Sequence, residues 1–236
     1  LLDPLEARLR LPAWDLAPLA AVFPEYLSPQ GTVDLTANVR PGLVFDAEVR
    51  LTNAVTKPIA PVGVLRQIQG RVRLDPDGLQ LEGGQAELSG QPVAVAGAWR
   101  FQPPDTNGPP ALRFTLSGTN LALARRADLF LRGDVALEVT GSALTNATVA
   151  GQVRLRNSLL LRDLQSLVSG NVQEPASRPP FFSVQPSPWG DWRLDLRVEG
   201  DRFLRVVTPV FRGRVSSGLQ LTGTLREPVA LGDVTV

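Results

Sequence analysis

The sequence predicts an all-β protein, and three observations carry that prediction. Apolar and polar residues alternate with period two along most of the 236 residues, as in LEARLRL (5–11) and VFDAEVRL (44–51). Such alternation is typical of strands with one apolar and one polar face. Short turn signals separate these segments, for example Asp-Pro-Asp-Gly at 75–78. Helix patterns are few, and connections this short favour an antiparallel sheet, because parallel strands need long crossovers.

The strand pattern recurs from one end of the chain to the other. After the two segments above and TVDLTANV, the same alternation appears in IQGRVRL, QPVAVAGAWRF, ALRFTLSG, DVALEVTG, ATVAGQVRL and DWRLDLRVEG. On the order of a dozen strands would each present three or four aliphatic residues to one face. Two short helices cannot cover that much apolar surface. We therefore expect an elongated, curved antiparallel sheet, shaped as a U-shaped groove, with one or two short helices.

Two segments are helix candidates, and one segment is a predicted loop. DLAPLAAVFPEYL (15–27) has Asp15 as a plausible N-cap, apolar residues spaced for one helical face, and Pro24 to end or kink the helix. LLLRDLQSLVSG (159–170) is the second candidate, ending near Gly170. Residues 171–190 are rich in proline and are predicted to form an irregular loop. Phe181 and Phe182 within it are expected to pack on the sheet.

The composition argues against several classes of function. A formal net charge of +1 gives no electrostatic reason to expect a nucleic acid as partner. The chain has no His and no Cys, which removes the commonest general base and all thiolate chemistry. No nucleophile elbow, phosphate-binding loop or dinucleotide fingerprint is visible. Acid pairs such as Asp75 and Asp77 are those of a capped turn. The prediction is a non-enzymatic protein with no catalytic residues, no metal and no cofactor.

A loose internal repeat runs through the second half of the chain. LEVTGSALTNATVAGQV (137–153) and LQLTGTLREPVALGDV (219–234) share one pattern: aliphatic, any, aliphatic, Thr, Gly, a polar link, then aliphatic, any, Gly, any, Val. Each unit is predicted to be a hairpin that cannot bury its own apolar face. Stacking such hairpins extends a sheet.

These segments resemble the TamB and AsmA-like group of bacterial envelope proteins. LRLPAWDLAPLAAVFPEYLSPQGTVDL, near the start, resembles that group's strand, short helix and Gly-initiated strand. WRLDLRVEGDRFLRVVTPVFRGRVSSGLQLTGTLREPVALGDVTV (192–236) resembles the TamB C-terminal region, with its "LxGTLxEPxxxG" order. The resemblance divides the chain into an AsmA/TamB-like repeat region, residues 1–130, and a TamB C-terminal-like segment, residues 131–236. The lack of Met at position 1 predicts a piece of a longer protein.

The resemblance implies a β-taco with an apolar lining, located in the periplasm as part of an inner-membrane-anchored protein. Its role would be to carry phospholipid between inner and outer membranes, or to assist assembly of outer-membrane proteins. The implied partners are phospholipid acyl chains or nascent outer-membrane β-strands, and an outer-membrane barrel of the TamA/BamA type. Strand parity near the C-terminal repeats selects these candidate lining residues: Val135, Leu137, Val139, Val149, Val153, Leu155, Trp192, Leu194, Leu196, Val198, Leu219, Leu221 and Leu225.

Two alternatives stay open at this point. The first is a structural or adhesive β-solenoid or sandwich module with a dry core, which a closed interior would distinguish. The second is a carbohydrate-active β-helix enzyme, which would need acids and aromatic residues clustered on one exposed face. The sequence shows no such cluster.

Overall fold

The computed structural model describes residues 6–22, 24, 27–41, 44–59, 63–101, 111–126, 128–143, 145–161 and 189–236. These residues are nearly all in strands, and the strands form one open sheet whose strand order follows the chain order. The predicted all-β class is confirmed. The U-shaped groove stays a prediction.

The strands are long, and most are joined by short turns. In chain order the elements are β1 (Ala7–Asp15), α1 (Ala17–Val22), β2 (Thr32–Arg40), β3 (Val44–Ala54), β4 (Leu65–Asp75), β5 (Gly78–Leu88), β6 (Gln91–Arg100), β7 (Leu112–Arg125), β8 (Leu129–Ala143), β9 (Asn146–Leu161), β10 (Arg193–Val207), β11 (Arg212–Gly223) and β12 (Pro228–Thr235).

The chain divides into two compact units. The first unit comprises Leu1–Leu116 and Thr140–Ser142, and the second comprises Ser117–Val139 and Ala143–Val236. The domain boundary predicted at residue 130 stays a prediction.

Register separates the two faces of the first unit cleanly. Leu35 lies opposite Val49, and Val49 opposite Val72, so the aliphatic residues of β2, β3 and β4 share one face. Residues in the alternate positions, such as Thr36 opposite Glu48, share the other face. This segregation is what period-two alternation produces when strands pair in register.

The helix α1 packs against the apolar face of the first unit. Leu16 and Leu19 contact the cluster that contains Val33 and Ala54. The Asp15 carboxylate accepts a hydrogen bond from the Ala17 backbone N–H at 2.8 Å, which satisfies a free donor of the first turn. Asp15 therefore caps the helix from one position before the N-cap residue, which is Leu16, because the Leu16 carbonyl accepts the first intrahelical bond from the Ala20 N–H.

The two helix candidates have different outcomes: α1 ends at Val22, before the Pro24 that was predicted to end or kink it, whereas the first three residues of the second candidate are in a strand. Helix α1 has six residues, and Leu27, the last residue of the predicted 15–27 helix, instead forms an antiparallel bridge with Thr56. In the second candidate, 159–170, Leu159, Leu160 and Leu161 belong to β9, because they pair with β10. Residues 162–170, most of the loop predicted at 171–190, and both Phe181 and Phe182 lie outside the described residues.

Acidic and basic side chains alternate on the polar face of the first unit and form ion pairs. Glu48 lies between Arg71 at 3.1 Å and Arg73 at 3.8 Å, and Arg73 also reaches Glu82 at 3.3 Å. These side chains are substantially exposed, so each pair contributes little stability.

We expect Asn38→Ala to raise the pKa of Asp46. The Asn38 amide donates to the Asp46 carboxylate, and the Arg40 guanidinium pairs with it, and these contacts hold its pKa below the ordinary value. A depressed pKa contributes stability above the unfolded-state value, and that contribution is lost as pH falls through the folded-state pKa. An NMR titration of the Asp46 carboxyl carbon checks this. An unchanged pKa in the variant would contradict the assigned cause.

The second unit contains one parallel strand pair, which the sequence did not predict. Strand β10 pairs with β9 in parallel, with Leu194 opposite Val149 and Val206 opposite Leu160. The other strand pairs for which the described residues define a register are antiparallel, for example β10 with β11 and β11 with β12. A parallel pair needs a long connection, and residues 162–192 supply that length between the two strands.

The repeat predicted from the sequence has a shared backbone geometry. Gly151 has φ of +137° and Gly232 has φ of +138°, values that L-residues rarely adopt. A Cβ on Gly151 would lie 3.0 Å from the Leu137 Cα, and a Cβ on Gly232 would lie 3.0 Å from the Leu219 Cα. The two hairpins, β8–β9 and β11–β12, therefore share the same backbone arrangement at this glycine.

Candidate functional site: the apolar face of the second unit

The predicted lining residues of β9 and β10 lie on one face. Leu194 is opposite Val149, and Val198 is opposite Val153. Residues directly opposite each other on neighbouring strands project to the same side of a sheet. We call this side the apolar face of the second unit. The alternate residues of β10, beginning with Arg193, project to its polar face.

Strand β11 extends the apolar face. Leu221 lies opposite Leu196, and Leu219 lies opposite Val198. On the far side of β11, Ala230 of β12 is opposite Leu221. Aliphatic side chains therefore run across three adjacent strands, as strand parity predicted.

Strand β8 continues the same face on the other side of β9. Gly232 and Leu219 lie directly opposite each other on β12 and β11. Gly151 approaches Leu137 as closely as Gly232 approaches Leu219. Leu137 is thus opposite Gly151, and the alternate residues Val135 and Val139 project to the same side.

Trp192 and Leu225 lie at the end of the apolar face, outside the strands. Trp192 comes just before β10, and its backbone carbonyl accepts a hydrogen bond from the Leu225 N–H at 2.9 Å. The Trp192 ring meets the Trp189 ring edge to face, with centroids 5.1 Å apart. The two tryptophans and Leu225 thus place half-buried or exposed apolar side chains at one end of the strands.

Burial varies across the predicted residues. Five of them are buried, with 6–9% of their surface exposed: Val135, Val149, Leu155, Leu194 and Leu221. The other eight are half-buried: Leu137, Val139, Val153, Trp192, Leu196, Val198, Leu219 and Leu225. The described residues of the second unit form strands and turns and no helix.

Sequence reasoning missed the centre of the apolar face. Phe203 packs with Leu155 and Val215 in a buried cluster, which Leu204 and Val206 also contact. The sequence signal for Phe203 was weak because Glu-Gly-Asp-Arg at 199–202 interrupts the alternation of apolar and polar residues. The structure has a bulge there: the pairing of β10 with β11 shifts between Gly200 and Leu204. Bulges re-aim side chains, and this one turns Phe203 into the cluster.

Comparison with protein-family models, with curated proteins and with solved structures finds no match to this chain in any of the three. The resemblance to the TamB and AsmA-like group therefore still depends on the segments quoted from the sequence.

A ligand on the apolar face would contact aliphatic surface, which imposes no preferred direction on binding. Aliphatic side chains bind apolar groups in proportion to the area they remove from water. Among the described residues, no group of three or more Asp, Glu, His or Cys is placed to hold a metal ion. The described helix is also too short to cross a membrane. What the arrangement can do chemically is to hold an extended apolar molecule.

Proposed function

We propose that the apolar face of the second unit holds lipid acyl chains, in a segment of a TamB/AsmA-like envelope protein. In this proposal the protein is not an enzyme. It lies in the periplasm, is anchored in the inner membrane through other parts of the full protein, and moves phospholipid between the two membranes. An outer-membrane barrel of the TamA/BamA type is the proposed partner, and assistance to nascent outer-membrane strands is the related role.

One observation carries this proposal. Leu196 and Val198 are neighbours on the same face of β10, and Leu219 of β11 lies opposite Val198. All three side chains are half-buried. A face that is aliphatic and incompletely covered gains about 0.8 kcal/mol for each CH₂ group that leaves water on contact with it. Because dispersion and burial have no preferred direction, a chain held there is free to slide along the strands.

We expect Leu196→Asp to remove lipid that co-purifies with the protein. A carboxylate in the middle of the aliphatic row has to be solvated, and an acyl chain across it would prevent that. Native mass spectrometry, with lipid extraction from the same sample, measures bound phospholipid. Leu221→Asp, in the position opposite, is expected to act in the same way.

Thr148→Asp is the matched control for this experiment. Thr148 is half-buried on the polar face and lies opposite Arg193, so a carboxylate there gains a cationic neighbour. Bound lipid should be unchanged in this variant. If folded Leu196→Asp protein retains its lipid, or if the unsubstituted protein carries none, the proposal is wrong.

The dry structural module is the second candidate, and a specific observation favours it. Five of the predicted lining residues are already buried against their neighbours, with Leu221 only 6% exposed. A protein that is lipid-free, monomeric and cooperatively folded would support this candidate over the lipid carrier.

A further inference from the structure

The turn between β10 and β11 presents apolar side chains to solvent. The turn is ordered, because the Thr208 Oγ1 accepts a hydrogen bond from the Phe211 N–H at 2.9 Å, and the Thr208 N–H donates to the Phe211 carbonyl. Val210 at its tip is 77% exposed and Phe211 is 44% exposed. Leu161, opposite Val207 at the end of β9, adds a third exposed apolar side chain. An ordered turn that keeps large apolar groups in water suggests a contact surface.

Four arginines surround the same end of the hairpin. Arg202, Arg205, Arg212 and Arg214 all line one open depression of about 590 Å³. Arg205 lies directly opposite Arg214. All four side chains are exposed, and none of them makes an ion pair or side-chain hydrogen bond with the described residues. We call the turn and these four residues the arginine hairpin.

This concentration of positive charge is unusual within the protein. Like charges directly opposite each other on neighbouring strands destabilise a sheet. Elsewhere on the polar surfaces opposed or neighbouring arginines have acidic partners. Arg50 also lies opposite Arg71, but Asp34 is opposite Arg50 and Glu82 is opposite Arg71 on the next strands. Arg197 pairs with Glu199, and Arg40 pairs with Asp46. In the arginine hairpin the nearby Asp201 instead accepts a hydrogen bond from the Ser216 Oγ, and none of the four guanidinium groups pairs with an acid among the described residues. An anionic partner would therefore relieve repulsion that the described part of the fold leaves in place.

We propose that the arginine hairpin docks on an anionic membrane surface. Basic residues that flank exposed aromatic and aliphatic side chains fit the boundary between lipid head groups and acyl chains. The guanidinium groups would meet head-group phosphates in bidentate fashion, while Val210 and Phe211 enter the apolar layer. A nucleic acid fits less well, because the whole chain has a formal net charge of only +1.

The arginine hairpin is separate from the proposed lipid-carrying surface. Leu204 and Val206, opposite Val215 and Gly213, face the apolar side of the sheet. Arg205 lies between them in sequence and therefore projects to the polar face. Membrane docking and acyl-chain binding thus use opposite sides of the hairpin, and each can fail without the other.

The experiment is sedimentation of the 236-residue chain with vesicles of phosphatidylcholine containing about 30% phosphatidylglycerol. We expect binding to these vesicles that weakens in about 0.5 M salt, and little binding to phosphatidylcholine alone. Replacing both Arg205 and Arg214 with Gln should weaken binding on the order of 25-fold, since each surface arginine contributes about fivefold. The folding stability of that variant should not fall, because the substitution removes a repulsion.

Two further variants distinguish the effect of net charge from the effect of the hairpin's own residues. Replacing Val210 and Phe211 with Ser should weaken vesicle binding roughly 10-fold while all the arginines remain. Replacing Arg40 and Arg197 with Gln changes the net charge by the same amount as the hairpin pair, and should leave binding nearly unchanged. Both control arginines are ion-paired.

Several outcomes would overturn the proposal. These are equal loss of binding in the control pair, no binding to anionic vesicles, or binding to a single-stranded oligonucleotide in preference to vesicles. Competition by millimolar inorganic phosphate with undiminished binding of the Val210 and Phe211 variant would indicate a free-anion site. Leu196→Asp should keep vesicle binding, so its loss of co-purified lipid would be distinguishable from a failure of docking.

Discussion

Gly151→Ala is expected to lower the free energy of unfolding by about 3 kcal/mol. Gly151 has φ of +137°, where an L-side chain is strained. Its added Cβ would collide with the Ala136 carbonyl oxygen and lie 3.0 Å from the Leu137 Cα. Strand β9 lies between β8 and β10 and cannot move away from both. Urea unfolding followed by far-UV circular dichroism measures the loss.

Two other glycines are controls for this prediction. Gly218 has no atom within 4 Å of an added Cβ and has no positive φ, so Gly218→Ala should change stability by less than about 1 kcal/mol. Gly232→Ala should cost an intermediate amount, because Gly232 shares the backbone geometry of Gly151 but lies in β12, which pairs only with β11 among the described strands. A Gly151→Ala protein as stable as the unsubstituted one would contradict the backbone described here.

The sequence predicted much of the fold because alternation and pairing are local properties. Leu194, Leu196 and Val198 share a face by parity alone, and their registered partners on β9 and β11 continue it. The repeat was also visible, since Gly151 and Gly232 occupy matching places in two similar hairpins. In both cases a short window of residues contains the whole signal.

Other features depend on partners distant in sequence. Leu159 to Leu161 read as the start of a helix, yet they pair with β10 across residues 162–192. No local pattern distinguishes an apolar run in a helix from one in a strand of this kind. The bulge at Gly200 likewise depends on how β10 matches two neighbours at once, and Phe203 enters the apolar face only through that bulge.

The arginine hairpin illustrates the same limit. The four arginines are spread over residues 202–214 and appear scattered in the sequence. Pairing of β10 with β11 brings Arg205 and Arg214 opposite each other and gathers all four around one depression. That none of them pairs with an acid among the described residues is a property of the folded sheet.

Phe203→Ala is expected to cost about 3 kcal/mol of unfolding free energy. Phe203 is 8% exposed and packs with Leu155 and Val215, so its removal leaves a cavity at the centre of the apolar face. Differential scanning calorimetry and urea titration both measure the loss. Phe211→Ala is the matched control: it deletes the same atoms from a ring that is 44% exposed at the hairpin tip, and should cost less than about 1 kcal/mol.

The comparison of these two variants also bears on the proposed function. If both cost the same small amount, the apolar face is not packed around Phe203, and the dry-core candidate loses its support. If Phe203→Ala is costly and added phospholipid restores part of the loss, a ligand is filling space at that face, since binding to the folded state alone stabilises it. A costly Phe203→Ala that lipid leaves unchanged would instead indicate that the packed cluster lies apart from the acyl-chain surface near Leu196 and Leu219.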